Sequence, residues 1–282
     1  MSRALMRLAA RLPLPVLHAA GAFLGWLIYL GSATYRRHLR ANLEQAGFRD
    51  PRTRRAAVSE AGKLLAELPA LWFRPHAEVA ALVRSLEGET AVWTRARGGE
   101  PIVFLSPHLG CFEVTSLFAA TRMPITVLYR PPKLAWLEPL MREGRERTNV
   151  RLAQADLSGV REVLAALKRG EAVGFLPDQV PGVGEGEWVE HFGRPAYTMT
   201  LAARLASRPR HACYFVYARR LARGRGYALV ARALPAALPG ESATRRINRA
   251  VEALIRECPE QYLWAYNRYK TPVGAPKPAV SP

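Results

Sequence analysis

The chain opens with an uncharged apolar stretch that is flanked by positive charge. No Asp, Glu, Lys or Arg occurs between Leu12 and Tyr35, and residues 19–30 read AAGAFLGWLIYL. Arginines lie on both sides of it, at positions 3, 7 and 11 before and at positions 36, 37 and 40 after. Such a distribution is typical of a segment that meets anionic lipid headgroups. We therefore expect residues 1–40 to form a membrane-associated segment with a hydrophobic helix.

Other interpretations of this segment stay open. A helix that spans a bilayer needs ~20 apolar residues, which this stretch, interrupted by Pro13 and Pro15, barely supplies. The helix can instead lie in the membrane interface. A cleaved signal peptide would share the basic start and the short apolar core, but residues 31–33 (GSA) form a poor cleavage site. A buried helix of the globular domain is the remaining interpretation.

After residue 40 the pattern alternates between helical spacing and short apolar runs. Asp50-Pro51 predicts a helix start, and apolar residues follow at helical spacing as far as Trp72. The short runs, each predicted as a buried strand, are Ile102–Leu105, Ile125–Tyr129, Val150–Ala153 and Ala172–Leu176. The predicted helices between them are Cys111–Ala120, Leu134–Arg147 and residues 160–170. This alternation predicts a mainly parallel sheet flanked by helices.

The last third of the chain changes the pattern. Two apolar runs, Cys213–Ala218 and Tyr227–Ala233, are separated by a Gly- and Arg-rich turn and predict an antiparallel pair. A final helix is expected from Ser242 to before Pro259, and the Pro-rich residues 271–282 read as a flexible tail. The predicted fold class is therefore mixed α/β, with residues 41–270 as the main domain.

Composition narrows the class of protein. The 282 residues include 41 Lys and Arg against 23 Asp and Glu, which gives a formal charge of +18. That excess favours an anionic partner, whether nucleic acid, a phospholipid surface or an acidic protein. The alternative is that it serves solubility or reflects a bias of composition. Hydrophobic residues make up 49% of the chain, so wholesale disorder is excluded. Three widely spaced cysteines fit neither a disulfide scaffold nor a CxxC metal site and favour a reducing compartment.

The strongest chemical signal is the sequence SPHLGCFE at residues 106–113, where a predicted strand ends and a helix begins. Ligands bind at that edge of an open α/β sheet. His108 and Glu113 would lie about 140° apart on a continuous helix, so they meet only if His108 lies in the preceding turn. Glu113 would then fix the tautomer of His108, which would remove a proton from an attacking hydroxyl. The alternative is a helix start with a favourable first-turn carboxylate.

Neither a metal site nor a cofactor site is predicted. Neither an HExxH nor a CxxC motif, the spacings typical of zinc sites, includes His108, Cys111 or Glu113. Nothing in the sequence indicates a lowered pKa for the Cys111 thiol, so this residue is not favoured as a nucleophile.

Five ordered blocks carry a resemblance to a known family. They are PHLGCFE, ITVLYRPPK, GFLPDQVPG, HFGRPAYTMTLAARLA and PEQYLWAYNRYKTP, and they extend from Pro107 to Pro272. Together with the hydrophobic amino terminus, they resemble the late acyltransferases of lipid A biosynthesis, the lauroyl/myristoyl transferase family. That family belongs to the lysophospholipid acyltransferase superfamily with its H-x4-D/E motif.

The resemblance implies an acyltransferase with a two-residue catalytic centre. A fatty acyl group would pass from an acyl thioester to a hydroxyl of a lipid A precursor or a related membrane lipid. Acyl carrier protein is the usual donor, and acyl-CoA serves some members. His108 would be the general base and Glu113 its orienting partner. The implied location is the cytoplasmic side of the inner membrane, with no nucleic acid partner.

The resemblance also implies substrate-binding residues. Arg130 matches the arginine that binds the substrate phosphate, and Arg145 matches a second family arginine, both with side chains suited to phosphate. Asp178 and Gln179 follow a strand end and should open on the same cleft as His108. Gly193 and Arg194 would approach the substrate where a glycine permits close backbone contact. The alternative for the two arginines is a surface role, and for the other four residues it is a structural role.

One departure from the family leaves the acceptor open. Many members carry an Asn shortly after the YRP segment, where this chain reads Pro132-Lys133-Leu134-Ala135. Another glycolipid or a lysophospholipid therefore stays an alternative acceptor. A non-catalytic module that binds anionic lipid or nucleic acid, and an acyl ester hydrolase, are the competing functions, although the GxSxG motif of serine hydrolases is absent.

Overall fold

The structure, a computed structural model, describes residues 3–132 and 134–278. Lys133, and residues 279–282 of the expected tail, lie outside the described residues. The α-helices are α1 (Arg3–Ala10), α2 (Leu14–Gly31), α3 (Ala33–Gln45), α4 (Pro51–Phe73), α5 (His76–Ala80), α6 (Glu89–Arg97), α7 (Phe112–Ala119), α8 (Glu138–Arg145), α9 (Leu157–Lys168), α10 (Thr200–Ala206) and α11 (Ala243–Glu257). The strands are β1 (Val83–Glu87), β2 (Ile102–Leu105), β3 (Ile125–Tyr129), β4 (Val150–Gln154), β5 (Ala172–Phe175), β6 (Gly186–His191), β7 (Arg194–Met199), β8 (Ala212–Arg220) and β9 (Tyr227–Ala233).

Seven strands form one sheet in the order β1-β9-β8-β2-β5-β3-β4. Strands β8, β2, β5, β3 and β4 are mutually parallel, while β9 pairs antiparallel with β8 and β1 runs parallel to β9. The predicted mixed and mainly parallel α/β fold is thus confirmed. Strands β6 and β7 form a separate antiparallel hairpin.

Each face of the sheet supports its own core because neighbouring strand residues point to opposite sides. In β2, Val103 and Leu105 belong to the core that includes residues of α9, α10 and α11. Ile102 and Phe104 belong to the opposite core, which includes residues of α4, α6 and α7. All four β2 side chains are buried, which explains why this strand reads as a continuous apolar run.

The helix starts follow from local chemistry. The Asp50 carboxylate accepts a hydrogen bond from the Thr53 amide at 3.0 Å and caps α4, with Pro51 in the first turn. Ser242 caps α11 through the Arg245 amide at 3.2 Å. Both starts agree with the sequence prediction. The predicted helix Leu134–Arg147 is shorter, because Ala135–Leu137 forms a single 3₁₀ turn and α8 begins only at Glu138, next to a proline.

Three strands were not expected from the sequence. β1 and β6 have no continuous apolar run because most of their side chains are half-exposed or exposed. β7 completes the hairpin with β6, so the block at residues 191–206 contains a hairpin turn, β7 and α10. Residues 271–278 form no helix or strand, and the Pro276 carbonyl accepts a hydrogen bond from the Trp188 indole at 2.7 Å.

The amino-terminal helices pack on the domain through α4. Among the described residues, α2 is the one helix whose length and composition would allow it to cross a membrane. One face of α2 is buried, including Leu14, Leu17 and Tyr29. The division of the chain at residues 40 and 270 stays a prediction.

Candidate active site

Two neighbouring parallel strands end side by side and carry the candidate chemistry. Leu105, the last residue of β2, pairs with Phe175, the last residue of β5. His108 and Asp178 each follow three residues later, so both lie at the carboxyl edge of the sheet, where α/β folds bind ligands. The strand ends predicted from the sequence therefore bring these two side chains together.

The turn that carries His108 is held by backbone contacts. Gly110 has a φ of +61°, and a Cβ atom there would lie 2.1 Å from the Ala218 carbonyl oxygen of β8. Only glycine fits this close approach. The Cys111 amide donates to that same carbonyl at 2.7 Å, and the His108 carbonyl accepts from the Leu263 amide at 3.0 Å. The carboxy-terminal block around Leu263 thus fixes the turn from the other side.

Asp178 is the carboxylate that contacts the His108 ring. Its Oδ1 lies 2.8 Å from His108 Nδ1, and its Oδ2 accepts the His108 backbone amide at 2.9 Å. Burial alone would raise the pKa of Asp178, which is 2% exposed, but His108 and its hydrogen bonds lower that pKa below its ordinary value. An ionised carboxylate can only accept a hydrogen bond, so Nδ1 carries the proton and Nε2 presents a lone pair.

The free nitrogen of His108 faces Gln179. Gln179 Nε2 lies 3.1 Å from His108 Nε2, which suits an amide N–H donated to an imidazole lone pair. The Phe112 ring meets the imidazole edge-on at a centroid distance of 4.7 Å. The imidazole is therefore fixed in orientation on both sides, with a basic nitrogen available to a hydroxyl group that displaces the amide.

Glu113 does not hydrogen-bond to His108, in contrast to the pairing expected from the sequence. It lies in the first turn of α7, where it accepts the Trp72 indole at 3.3 Å and Arg145 Nε at 2.9 Å, and Arg145 Nη2 bonds its other oxygen. Burial would lower the pKa of Arg145, but the facing Glu113 carboxylate raises it. The position beside Nδ1 is instead occupied by Asp178, because His108 turns towards β5 before α7 begins.

A cavity of about 270 Å³ opens beside His108. His108, Glu113, Arg130, Arg145 and Gln179 line its polar part. The apolar part runs over one face of the sheet, and its lining includes Phe104, Val127, Gly174 and Val216 from the strands and Val92 and Phe118 from the helices. A basic imidazole at the edge of an apolar chamber suits the chemistry of a reactive group attached to a hydrocarbon chain.

Comparison with known proteins shows the family of this chain. Residues 1–271 match the family of bacterial lipid A biosynthesis acyltransferases. The chain belongs to this family. It is 29% identical to the lipid A biosynthesis lauroyltransferase of Escherichia coli K12 over 284 residues, which cover 95% of this chain and 90% of that protein. It is also 29% identical to the lipid A biosynthesis palmitoleoyltransferase of the same organism over 219 residues, 76% of this chain and 70% of the relative.

The family resemblance seen in the sequence is thereby confirmed, and membership of this family indicates an acyltransferase. Two of its sequence-predicted substrate residues lie elsewhere. Gly193, with a φ of +73°, forms the β6–β7 turn, and the Arg194 guanidinium lies over the Tyr269 ring at 4.7 Å. Neither lines the cavity, because the hairpin packs its Phe192 against Trp264 instead.

The two candidate phosphate arginines of this acyltransferase differ in availability. Arg145 directs Nε and Nη2 at Glu113 and Nη1 at the Met141 sulfur, so each of its three nitrogens already has a partner within the protein. The Arg130 side chain is 58% exposed and lies 3.6 Å from Glu185, whose side chain is 54% exposed. Such a surface pair is weak, so Arg130 is the more accessible guanidinium at the cavity mouth.

Sequence reasoning did not single out Ser106. This residue follows β2 directly, is 8% exposed and lines the cavity. Its hydroxyl has no hydrogen-bond partner among the described residues. A serine one residue after a predicted strand, two before the candidate base, was the available signal. Cys111, by contrast, is fully buried, and burial raises the pKa of its thiol, which disfavours it as a nucleophile.

No group of three or more His, Cys, Asp and Glu side chains in residues 3–132 and 134–278 is arranged to hold a metal ion.

Proposed function

We propose that this enzyme transfers a fatty acyl group from an acyl thioester to a hydroxyl of a lipid A precursor or a related membrane lipid. The observation that carries the proposal is the His108–Asp178 pair at the edge of the apolar cavity. The cavity suits the hydrocarbon of an acyl chain, and the paired imidazole suits proton removal from an alcohol. Membership of the lipid A acyltransferase family supports the acceptor class.

The reaction needs no acyl-enzyme intermediate. His108 Nε2 takes the proton of the acceptor hydroxyl while the hydroxyl oxygen bonds to the thioester carbonyl carbon. The tetrahedral intermediate then collapses, the carbon–sulfur bond breaks, and the imidazolium returns the proton to the departing thiolate. Asp178 stabilises the transient imidazolium through Nδ1, the role that a carboxylate takes beside a histidine base.

Side-chain donors for the oxyanion are present in the same cavity. When the acceptor hydroxyl takes its place at Nε2, the Gln179 amide is released from its contact with that nitrogen. Its N–H and the unpartnered Ser106 hydroxyl are then able to donate to the negatively charged oxygen. In this assignment His108 is the catalytic base, and Gln179 and Ser106 stabilise developing charge.

Glu113 and the arginines divide into positioning and binding roles. Glu113 holds Arg145, and the pair joins the first turn of α7 to α8 at the cavity wall. Arg130, with its exposed guanidinium, binds a phosphate of the acceptor. Gly193 and Arg194 lie outside the cavity and would contact only parts of a substrate that extend beyond it.

The proposed acyl donor is an acyl carrier protein, which is acidic. The proposed location of the active site is the cytoplasmic face of the inner membrane. The net charge of +18 favours steering of an acidic donor protein to the site. All three cysteines are free and buried, as suits a reducing compartment. We expect kcat/KM with the carrier-protein donor to fall steeply with salt and that with acyl-CoA to fall less. Equal slopes would contradict the carrier-protein assignment.

The function is tested by incubating purified full-length protein with each acyl thioester and a panel of lipids. A lipid A precursor, a second glycolipid and a lysophospholipid serve as acceptors, and mass spectrometry follows the mass of each lipid. We expect a lipid A precursor to gain one acyl group. Acylation of the lysophospholipid alone would move the acceptor to a different class, and release of free fatty acid alone would make the protein a hydrolase.

A further inference from the structure

Helix α2 is in close backbone contact with α4 at Gly21 and Gly25. A Cβ atom at Gly25 would lie 2.2 Å from the Val58 carbonyl oxygen, and one at Gly62 would lie 2.0 Å from the Gly21 carbonyl oxygen. The Trp26 indole donates to the Ser59 hydroxyl at 3.2 Å. Because these contacts cover more than one helical turn, one side of α2 is closed to lipid as long as α4 stays in place.

A buried polar network lies on the same side of α2. His18 Nε2 is 3.1 Å from Glu67 Oε2, and Glu67 is 0% exposed. Arg220 of β8 bonds both Glu67 oxygens, and the Tyr227 hydroxyl donates to Glu67 at 3.0 Å. Arg220 also donates to the Gly110 carbonyl, in the turn that carries His108, at 3.1 Å. This network ties α2 and α4 to the sheet, and a spanning α2 would draw ionised side chains to hydrocarbon depth, where they are costly.

The opposite side of the helices is apolar and exposed. Exposed fractions of Leu8, Phe23 and Leu30 are 62%, 67% and 66%. A patch of such side chains on one surface marks a site of interaction. We call this surface the N-terminal apolar face; its residues are Leu8, Leu12, Val16, Phe23, Leu27 and Leu30. Within α2 these positions repeat at intervals of three, four and seven residues, so they form one stripe along the helix.

Charge and position indicate what covers this face. Arg11, three residues before α2, and Arg37, in the second turn of α3, are exposed and form no ion pair within the described part of the chain. Arg3 of α1 pairs with Glu143 of α8 at 2.6 Å, so α1 lies beside the helix that contributes Met141 to the cavity wall. The segment before α8 adds two more exposed apolar side chains, Leu134 at 56% and Trp136 at 52%.

We infer that the N-terminal apolar face binds the surface of an anionic phospholipid bilayer, with α2 lying in the interface plane rather than crossing the membrane. The apolar stripe enters the acyl boundary while the arginines meet the headgroups. The α4 side of the helix then stays with the domain, and the cavity beside α8 is held near the lipid surface. This mode of attachment does not depend on which thioester or acceptor the enzyme uses.

The depth of α2 in the bilayer tests the inference. Val16→Cys, Phe23→Cys and Leu30→Cys place spin labels on one line of the helix, about 21 Å from end to end. The native cysteines are buried, which protects them from the label in the folded protein. Labels on full-length protein bound to phosphatidylglycerol–phosphatidylethanolamine vesicles should report nearly equal, shallow depths. A Phe23 label about 10 Å deeper than the labels at both ends would show a spanning helix and overturn the inference.

A matched pair of variants tests the face itself. Leu27→Glu and Leu238→Glu introduce the same charge at positions of equal exposure, 51% and 53%, on and off the face. We expect Leu27→Glu to weaken vesicle sedimentation at least tenfold and Leu238→Glu to leave it unchanged. Equal binding by both variants would overturn the inference. So would a concentration-dependent dimer in analytical ultracentrifugation that Leu27→Glu abolishes while vesicle binding persists, because a second copy would then cover the face.

Discussion

Replacing Asp178 by asparagine tests the base assignment with a minimal change of shape. Asp178 Oδ2 accepts the His108 backbone amide at 2.9 Å, and Oδ1 faces Nδ1 at 2.8 Å. A backbone amide can only donate, so the oxygen of the new asparagine side chain must stay at the Oδ2 position. Its NH₂ group must then face Nδ1 and donate to it, which moves the imidazole proton to Nε2. The variant therefore loses its base without losing its side-chain volume.

The size of the effect follows from that tautomer. General-base assistance contributes ~10²–10⁴ in rate, and loss of a buried carboxylate beside a catalytic histidine costs a similar amount. Each factor of ten corresponds to about 1.4 kcal/mol of activation free energy, so we expect a loss of about 3–5 kcal/mol. Asp178 is 2% exposed, so bulk solvent does not replace the lost interaction.

Single-turnover acyl transfer measures this loss apart from substrate binding. The control is Asp50→Asn, the same chemical change at the α4 cap, where asparagine caps as well as aspartate does. We expect Asp50→Asn to keep the parental rate and Asp178→Asn to fall by at least a hundredfold while it still unfolds in one cooperative thermal transition. A rate within threefold of the parental rate in Asp178→Asn would refute the reasoning.

Three further variants address positioning, chain length and stability. Glu113→Gln should lower the unfolding free energy by about 3 kcal/mol, since it leaves Arg145 without its carboxylate, and denaturant unfolding measures this. Gly174→Leu should lower turnover of the longest acyl thioester by about tenfold and spare short ones, because overfilling a cavity costs about 1–3 kcal/mol; an added Cβ there fits without a clash. Burial would raise the pKa of Glu67, but Arg220 lowers it from 4.5 to about 2. The ionised Glu67 carboxylate therefore stabilises the folded protein fully above about pH 4.5, and this contribution is lost as the pH falls towards 2. In Glu67→Gln, the Tm should no longer show this decrease between about pH 4.5 and 2.

The sequence correctly predicted the position of a site residue where that residue directly follows the end of a strand. The apolar runs at Ile102–Leu105 and Ala172–Leu176 correctly placed His108, Asp178 and Gln179 at one edge, because all parallel strands share their carboxyl ends. Glu113 illustrates the limit. Which carboxylate meets His108 depends on β2 and β5 being neighbours and on the direction in which the turn leaves β2, and neither is encoded in local spacing.

The amino terminus shows the same limit. Apolar composition predicted a hydrophobic helix, and α2 is such a helix. Its attachment to α4 depends on Gly21, Gly25 and Gly62 facing one another across some forty residues of sequence. Glycines at helical spacing in the sequence do not show which other helix will pack against them.

The most direct test of the central claim is the mass of the acceptor lipid after incubation with an acyl thioester and purified protein. Full-length parental protein, His108→Ala and, as a control, His211→Ala are compared. The His211 ring lies outside the cavity and hydrogen-bonds to the carbonyl of Leu205. We predict one added acyl group with the parental protein and with His211→Ala, and at least a hundredfold slower transfer with His108→Ala. Transfer by His108→Ala at the parental rate, with the lipid gaining the same mass, would contradict the account.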